Sequence, residues 1–271
     1  MLRVDSFVQR NVKKKRGEGM KMIFMTDKGK VRHHNEDNGG IFHNQTGQIL
    51  AVVADGMGGH RAGDVASEMT ITELKKRWEA ASEIETADQA ENWLRKNIDQ
   101  VNTTLYEHAK SYSECDGMGT TVVAVVITKL FLTVAHIGDS RCYILNEAGF
   151  SQITEDHSLV NELVRSGEIT KEDAENHPRK NVLIRALGTE KIVEMDIKSM
   201  VFEEDDVLLL CSDGLSNKVS EIEMVECLTQ DKMIDEKATQ LIDLANHHGG
   251  EDNITLIIAN YEQEDSFGEG Q

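Results

Sequence analysis

Runs of Val, Ile and Leu of strand length alternate along the chain with stretches where apolar residues return every three or four positions. The first pattern predicts strands over 22–25, 48–54, 120–128, 130–137, 142–145, 206–212 and 254–259. The second predicts helices over 62–80, 87–112, 220–228 and 235–247, with Leu94, Ile98, Val101, Leu105 and Ala109 on one stripe. Several strands between 120 and 153 follow one another with short links, which calls for antiparallel pairing instead of a repeated strand-helix-strand unit. The expected fold is therefore α+β, a single domain in which helices cover antiparallel sheets packed face to face. A lone proline, Pro178, and the lack of a Gly/Ser-rich linker favour one domain over two.

The chain's ends break this pattern. Residues 1–21 hold Arg3, Arg10, Lys13, Lys14, Lys15, Arg16 and Lys21 against only Asp5 and Glu18. This basic leader is expected either to contact something anionic or to be a start-site artefact with translation beginning at Met20 or Met22. The second is preferred, since the stretch before Met20 resembles a translated purine-rich ribosome-binding site. Residues 262–271 form an acidic tail expected to fray.

Composition narrows the function. With 29 basic and 48 acidic residues the formal charge is -19, a field that repels nucleic acid and an anionic membrane surface alike. No stretch approaches the roughly 20 apolar residues of a spanning helix, and a cytoplasmic protein is expected. The four cysteines, Cys115, Cys142, Cys211 and Cys227, show no metal or disulfide spacing and are expected to be buried thiols.

Acidic residues recur at strand ends. Asp55 follows the run 49–54 and precedes Gly56; Asp213 follows the run 207–212 and precedes Gly214. Asp139 follows the run 130–135, Asp252 precedes the run 254–258, and Glu36 and Asp37 stand near Arg32. A carboxylate leaving a buried strand is rigid, partly desolvated and open on one side, and a glycine after it lets a backbone carbonyl approach. Gathered carboxylates repel one another, so the set points to divalent cations, and all-oxygen ligation points to magnesium or manganese. The Gly58 to Gly63 spacing mimics a phosphate-binding loop, but Asp64 and Val65 stand where Lys and Ser/Thr are needed. The pairs His33-His34 and His247-His248 lack zinc-ligand spacing.

Arg32-x-x-Asn-Glu-Asp37, Ala54-Asp-Gly-Met-Gly-Gly-His60, Gly117-Met-Gly-Thr-Thr121, Gly138-Asp-Ser-Arg141, Ser212-Asp-Gly-Leu215 and Gly250-Glu-Asp-Asn-Ile254 follow one another between about residues 22 and 261. Together they resemble the ordered motifs of the metal-dependent (type 2C) protein serine/threonine phosphatases, in their bacterial form. The resemblance implies a sandwich of two antiparallel sheets flanked by helices, over 22–261, with Mn2+ or Mg2+ at a two-metal centre and a weaker third ion. It implies that Asp55 bridges both metals with the Gly56 carbonyl on one, that Asp213 and Asp252 hold the other, and that Glu36 and Asp37 act through waters. Asp139, with Asp213, is implied to hold the third ion and Arg32 to grip the substrate phosphate. A metal-activated water would then attack phosphorus in line, with Arg32, Asp55 and Asp213 as the catalytic set. Eukaryotic relatives carry a histidine where this chain has Met57, so the leaving-group acid is unassigned; His60 is read as structural, and a water on the third metal is the other candidate.

The implied substrates are phosphoserine and phosphothreonine proteins, including a Ser/Thr kinase that the enzyme opposes, and a monomer is expected. A phosphoesterase of small metabolites and a silent binding module remain alternatives. Residues 157–187 correspond in position to the flap of bacterial relatives, with short helices near 159–165 and 171–175 broken by Gly167 and Pro178. Arg179 and Lys180 are its candidate substrate-binding residues.

Overall fold

A computed structural model describes residues 20–59 and 62–261. Most of the basic leader, His60 and the acidic tail lie outside the described residues. The leader's last two residues belong to the fold, because strand β1 (Met20–Asp27) starts with Met20 paired to Tyr261.

The remaining strands are β2 (Asp37–His43), β3 (Ile49–Met57), β4 (Gly119–Thr120), β5 (Val122–Ile127), β6 (Phe131–Ile137), β7 (Arg141–Asn146), β8 (Gly149–Gln152), β9 (Asp196–Val201), β10 (Val207–Cys211) and β11 (Ile254–Tyr261). One sheet runs β1-β11-β10-β7-β8 and the other β2-β3-β5-β6-β9, with β4 on β3. Every pairing is antiparallel. Helices α1 (Ala62–Glu79) and α2 (Ala87–Ser111) cover the second sheet, and α5 (Asp213–Ser216), α6 (Glu221–Leu228) and α7 (Ile234–His247) cover the first. Short helices α3 (Leu159–Arg165) and α4 (Lys171–Glu175) lie between β8 and β9, with the bounds expected for the two short helices of that segment.

Three apolar layers hold the fold. Strand β5, VVAVVI, is buried along its whole length because both its faces are covered. Val122, Ala124 and Val126 meet the α1/α2 layer, while Val123, Val125 and Ile127 meet the opposite sheet. The predicted stripe of α2 is its buried face, and Thr86 caps the helix by accepting from the Gln89 amide. Ser220 and Glu223 close a capping box at α6.

The single strand expected over 120–128 is two, because Thr121 turns its amide out of the ladder to the Asp55 carbonyl at 2.8 Å. Strands β2, β8 and β9 and the short α5 were not expected. In β2, Gly39 and Gly40 mask the strand pattern; a Cβ on Gly39 would stand 2.7 Å from the Phe24 ring of the facing sheet. After β6 the chain leaves one sheet for the other, and Gly138 and Asp139 make that crossing.

Candidate metal centre

Each acidic residue singled out in the sequence lies at or close to a strand end on one edge of the sandwich. Asp37 opens β2 directly opposite Asp55 near the end of β3, and Gly56 follows Asp55. Asp139 lies between β6 and β7, Asp213 opens α5 immediately beyond β10, Asp252 precedes β11, and Arg32 and Glu36 lie on the link from β1 to β2.

Short hydrogen bonds fix these groups. The Asp55 amide donates to Thr121 Oγ1 at 2.9 Å and its carbonyl accepts from Thr120 Oγ1 at 2.9 Å. Ser212 Oγ donates to Asp37 Oδ2 at 2.7 Å and accepts from the Thr255 amide at 3.0 Å, joining the two sheets under the site. Asn217 Nδ2 donates to Asp213 Oδ2 at 3.0 Å. Asn253 accepts from the Glu36 amide at 2.8 Å and donates to the carbonyls of Lys28 and His34, fastening the acidic loop to β11. Gly56 is obligatory, since a Cβ there would stand 2.1 Å from the Gly63 carbonyl oxygen.

Electrostatically the cluster is unfinished. Burial pushes Asp55 well up from the ordinary carboxylate range and also raises Asp213, and neighbouring carboxylates add to both. Burial, with Asp213 nearby, raises Asp37 and Asp139 to about 7. Glu36 is raised by burial and then by Asp64. Oδ1 of Asp37 and Oδ1 of Asp213 are buried with no hydrogen-bond partner among the described residues. Buried carboxylate oxygens without donors, gathered among like charges, are what a hard divalent cation satisfies, so the residues present fit magnesium or manganese. Two positive groups are already there: Arg141, which acts on Asp139 and Asp213, and Arg32, whose Nη2 donates to Asp252 Oδ2 at 2.8 Å while its side chain remains 48% exposed.

The family model of protein phosphatase 2C matches residues 29–243. The chain belongs to that family. Over 235 residues it is 53% identical to the serine/threonine phosphatase stp of Listeria welshimeri, covering 87% of this chain and 93% of the relative. The crystal structure of serine/threonine phosphatase Stp1 from Staphylococcus aureus superimposes with a TM-score of 0.86 at 44% identity, covering 90% of this chain and 96% of that one. The catalytic domain of the phosphatase PstP, in complex with two manganese ions, gives 0.78 at 33% identity, over 90% of this chain and 99% of that one. The protein is a metal-dependent phosphatase of this family, acting on phosphoserine and phosphothreonine.

In this phosphatase the expected site residues Glu36, Asp37, Asp55, Gly56, Asp139, Asp213 and Asp252 converge, with Arg32 at the rim. The two flap candidates part company. A cleft of about 540 Å³ opens from Asp139 and Asp213 between the 157–187 segment and α5–α6; Lys180 lines it together with Lys171 and Lys218, whereas Arg179 is not on its wall. Sequence reasoning missed Asp64, which acts on Glu36, and the hydroxyls of Thr121 and Ser212. The Thr-Thr and Ser-Asp-Gly motifs held that signal: hydroxyls beside the carboxylates. It also missed His136 and His157, distant in sequence but with ring centroids 4.6 Å apart. The four cysteines are buried and free, as expected. Among the described residues no helix is long and apolar enough to cross a membrane.

Proposed function

We propose that Asp55, the Gly56 carbonyl, Asp213 and Asp252 hold two divalent cations, Mn2+ or Mg2+, with Glu36 and Asp37 acting through waters and Asp139 with Asp213 holding a weaker third ion. The two orphaned oxygens, Asp37 Oδ1 and Asp213 Oδ1, carry this reading, because each needs a positive partner that no donor among the described residues supplies. Cations bound there supply Lewis acidity, making water nucleophilic near neutral pH and neutralising charge on the phosphoryl oxygens.

The chain's own groups do the rest. Thr121, Ser212 and Asn253 hold the carboxylates rigidly, so the ligand geometry is set before substrate arrives. Arg32, exposed and beside Asp252, offers a planar fork to the phosphate. Lys180 and Lys171, exposed on the cleft wall, receive the peptide around the phosphoresidue. Met57 leaves the position after Gly56 without a proton donor. Substrates are phosphorylated proteins, a Ser/Thr protein kinase among them, and the enzyme works as a cytoplasmic monomer.

The deciding experiment is hydrolysis of a phosphothreonine peptide with and without manganese, by wild type and Asp55→Asn. Turnover should require metal and fall by orders of magnitude in the variant at saturating manganese. Undiminished turnover in excess chelator would defeat this reading.

A further inference from the structure

The residues that open the flap grip the chain on both sides of Asp139. Immediately before it, Gly138 exchanges two hydrogen bonds with His157: the His157 amide donates to the Gly138 carbonyl at 2.9 Å, and the Gly138 amide donates to His157 Nδ1 at 3.2 Å. Just after it, Arg141 clasps Asp156 through both carboxylate oxygens, Nε to Oδ1 at 2.9 Å and Nη2 to Oδ2 at 2.7 Å. Gly138 has little freedom between them, with φ at +104° and a hypothetical Cβ 2.6 Å from Thr121 Cγ2.

His157 also ties the far end of the same segment. Its carbonyl accepts from the Ile184 amide at 2.9 Å, and Ser158 bridges Leu183 in antiparallel fashion. Because Nδ1 accepts, the neutral ring carries its proton on Nε2, facing Asp196 Oδ2 at 3.5 Å. Arg185 Nη1 lies 3.2 Å from that nitrogen and donates to Asp196 Oδ1 at 3.1 Å. His136 stacks on the ring and is held by the Glu155 carbonyl at 2.8 Å.

His136, His157 and Asp196 bring one potential ligand atom each within 4.8 Å of one another, a spacing that suits a transition metal. The guanidinium of Arg185 already supplies the positive charge beside Asp196, so the cluster works as a clasp.

We propose that His157 is a positioning residue that couples the flap to Asp139: the ring that closes the flap's two ends also sets the backbone carrying that carboxylate. A shift of the flap on substrate binding is thereby transmitted to the weakest of the three cation sites. The inference rests on the metal-centre reading through Asp139 alone.

Two variants separate the ring's contacts. His157→Phe keeps a ring on His136 and removes both nitrogens; His157→Asn puts an amide oxygen where Nδ1 accepts from Gly138. In full-length, metal-free protein, hydrogen exchange at the Gly138 amide should quicken about tenfold in His157→Phe, the scale of one hydrogen bond, and return towards wild type in His157→Asn. Manganese counted by electron paramagnetic resonance should show the weakest site loosened severalfold in His157→Phe, with the tighter sites unchanged, on the scale of modest couplings between neighbouring groups. In an Asp139→Asn background His157→Phe should change kcat no further, because both act through one carboxylate. Unchanged Gly138 exchange, or an effect on kcat that simply adds to that of Asp139→Asn, overturns the coupling and leaves the metal centre standing. Manganese binding unaltered by Asp139→Asn overturns the ligand assignment and the coupling with it.

Discussion

Asp37 is a member of the cluster whose charge is costly to the fold without metal. It is buried, one oxygen is bonded to Ser212, the other has no partner among the described residues, and burial holds its pKa at about 7 against an ordinary 3.8. Below about pH 4 the folded and unfolded chains both keep the proton and the group contributes nothing. Between about 4 and 7 the folded chain keeps a proton that the unfolded chain has lost, so stability falls as pH rises. Above about 7 the full penalty is present: a separation of about three pH units at about 1.4 kcal/mol each amounts to about 4 kcal/mol. That is a large share of the roughly 5–15 kcal/mol that typical domains possess.

Buried histidines act in the opposite sense. His157, lowered to about 4, and His136, also lowered, favour folding as pH rises towards their ordinary value of 6.5. The clean measurement is therefore a difference. Asp37→Asn keeps an acceptor for Ser212 and removes the charge. In chelator, its urea-unfolding free energy should match wild type near pH 4 and exceed it progressively, by up to about 4 kcal/mol near pH 8. Saturating manganese should reverse the order, because only the wild type regains the full binding free energy. A difference that stays flat across this range, or a variant less stable than wild type in chelator at pH 8, refutes the reasoning.

Gly56→Ala should yield a protein with little activity and lowered thermal stability, since the new Cβ falls 2.1 Å from the Gly63 oxygen and backbone must move; differential scanning fluorimetry and a phosphopeptide assay check both. Arg32→Ala should raise KM severalfold while the half-saturating manganese concentration does not rise, because Asp252 loses a competing cation. Lys180→Ala should lower kcat/KM for a phosphopeptide more than for a small aryl phosphate, and Arg179→Ala should do less on either, as only Lys180 lines the cleft.

The site was legible because its chemistry sits where apolar runs stop: Asp55 after 49–54 and Asp213 after 207–212 are visible as a change from Val and Leu to a carboxylate. The parts that escaped have no such boundary. Strand β2 owes its place to lateral pairing with β3, and glycines at 39 and 40 give it no propensity of its own. Edge strand β9, Asp-Ile-Lys-Ser-Met-Val, sets Lys198 beside Ser199 and Met200 beside Val201, so no strict alternation marks it as a strand before Phe131 to His136 pair with it. Asp64 looked like an obstacle to a nucleotide; its charge acts on Glu36, which sequence distance conceals. The union of His136 and His157 depends on a sheet crossing that periodicity does not encode.

That crossing at Gly138 and Asp139 has a mechanical side. Asp37 and Asp55 belong to one sheet, while Asp213 and Asp252 flank strands of the other. A cation shared among them, as proposed, would rivet the open end of a two-leaf spring, beside protein fastenings such as the Asp37–Ser212 and Glu36–Asn253 hydrogen bonds. Sliding of one leaf over the other by a fraction of an ångström changes every ligand distance at once, although no side chain need turn. Packing between the leaves, by Val53, Val123, Leu210 and Ile257, thus sets the alignment of the chemistry at their edge. A cavity made deep in that layer, far from any carboxylate, should be felt first as a weakened hold on metal.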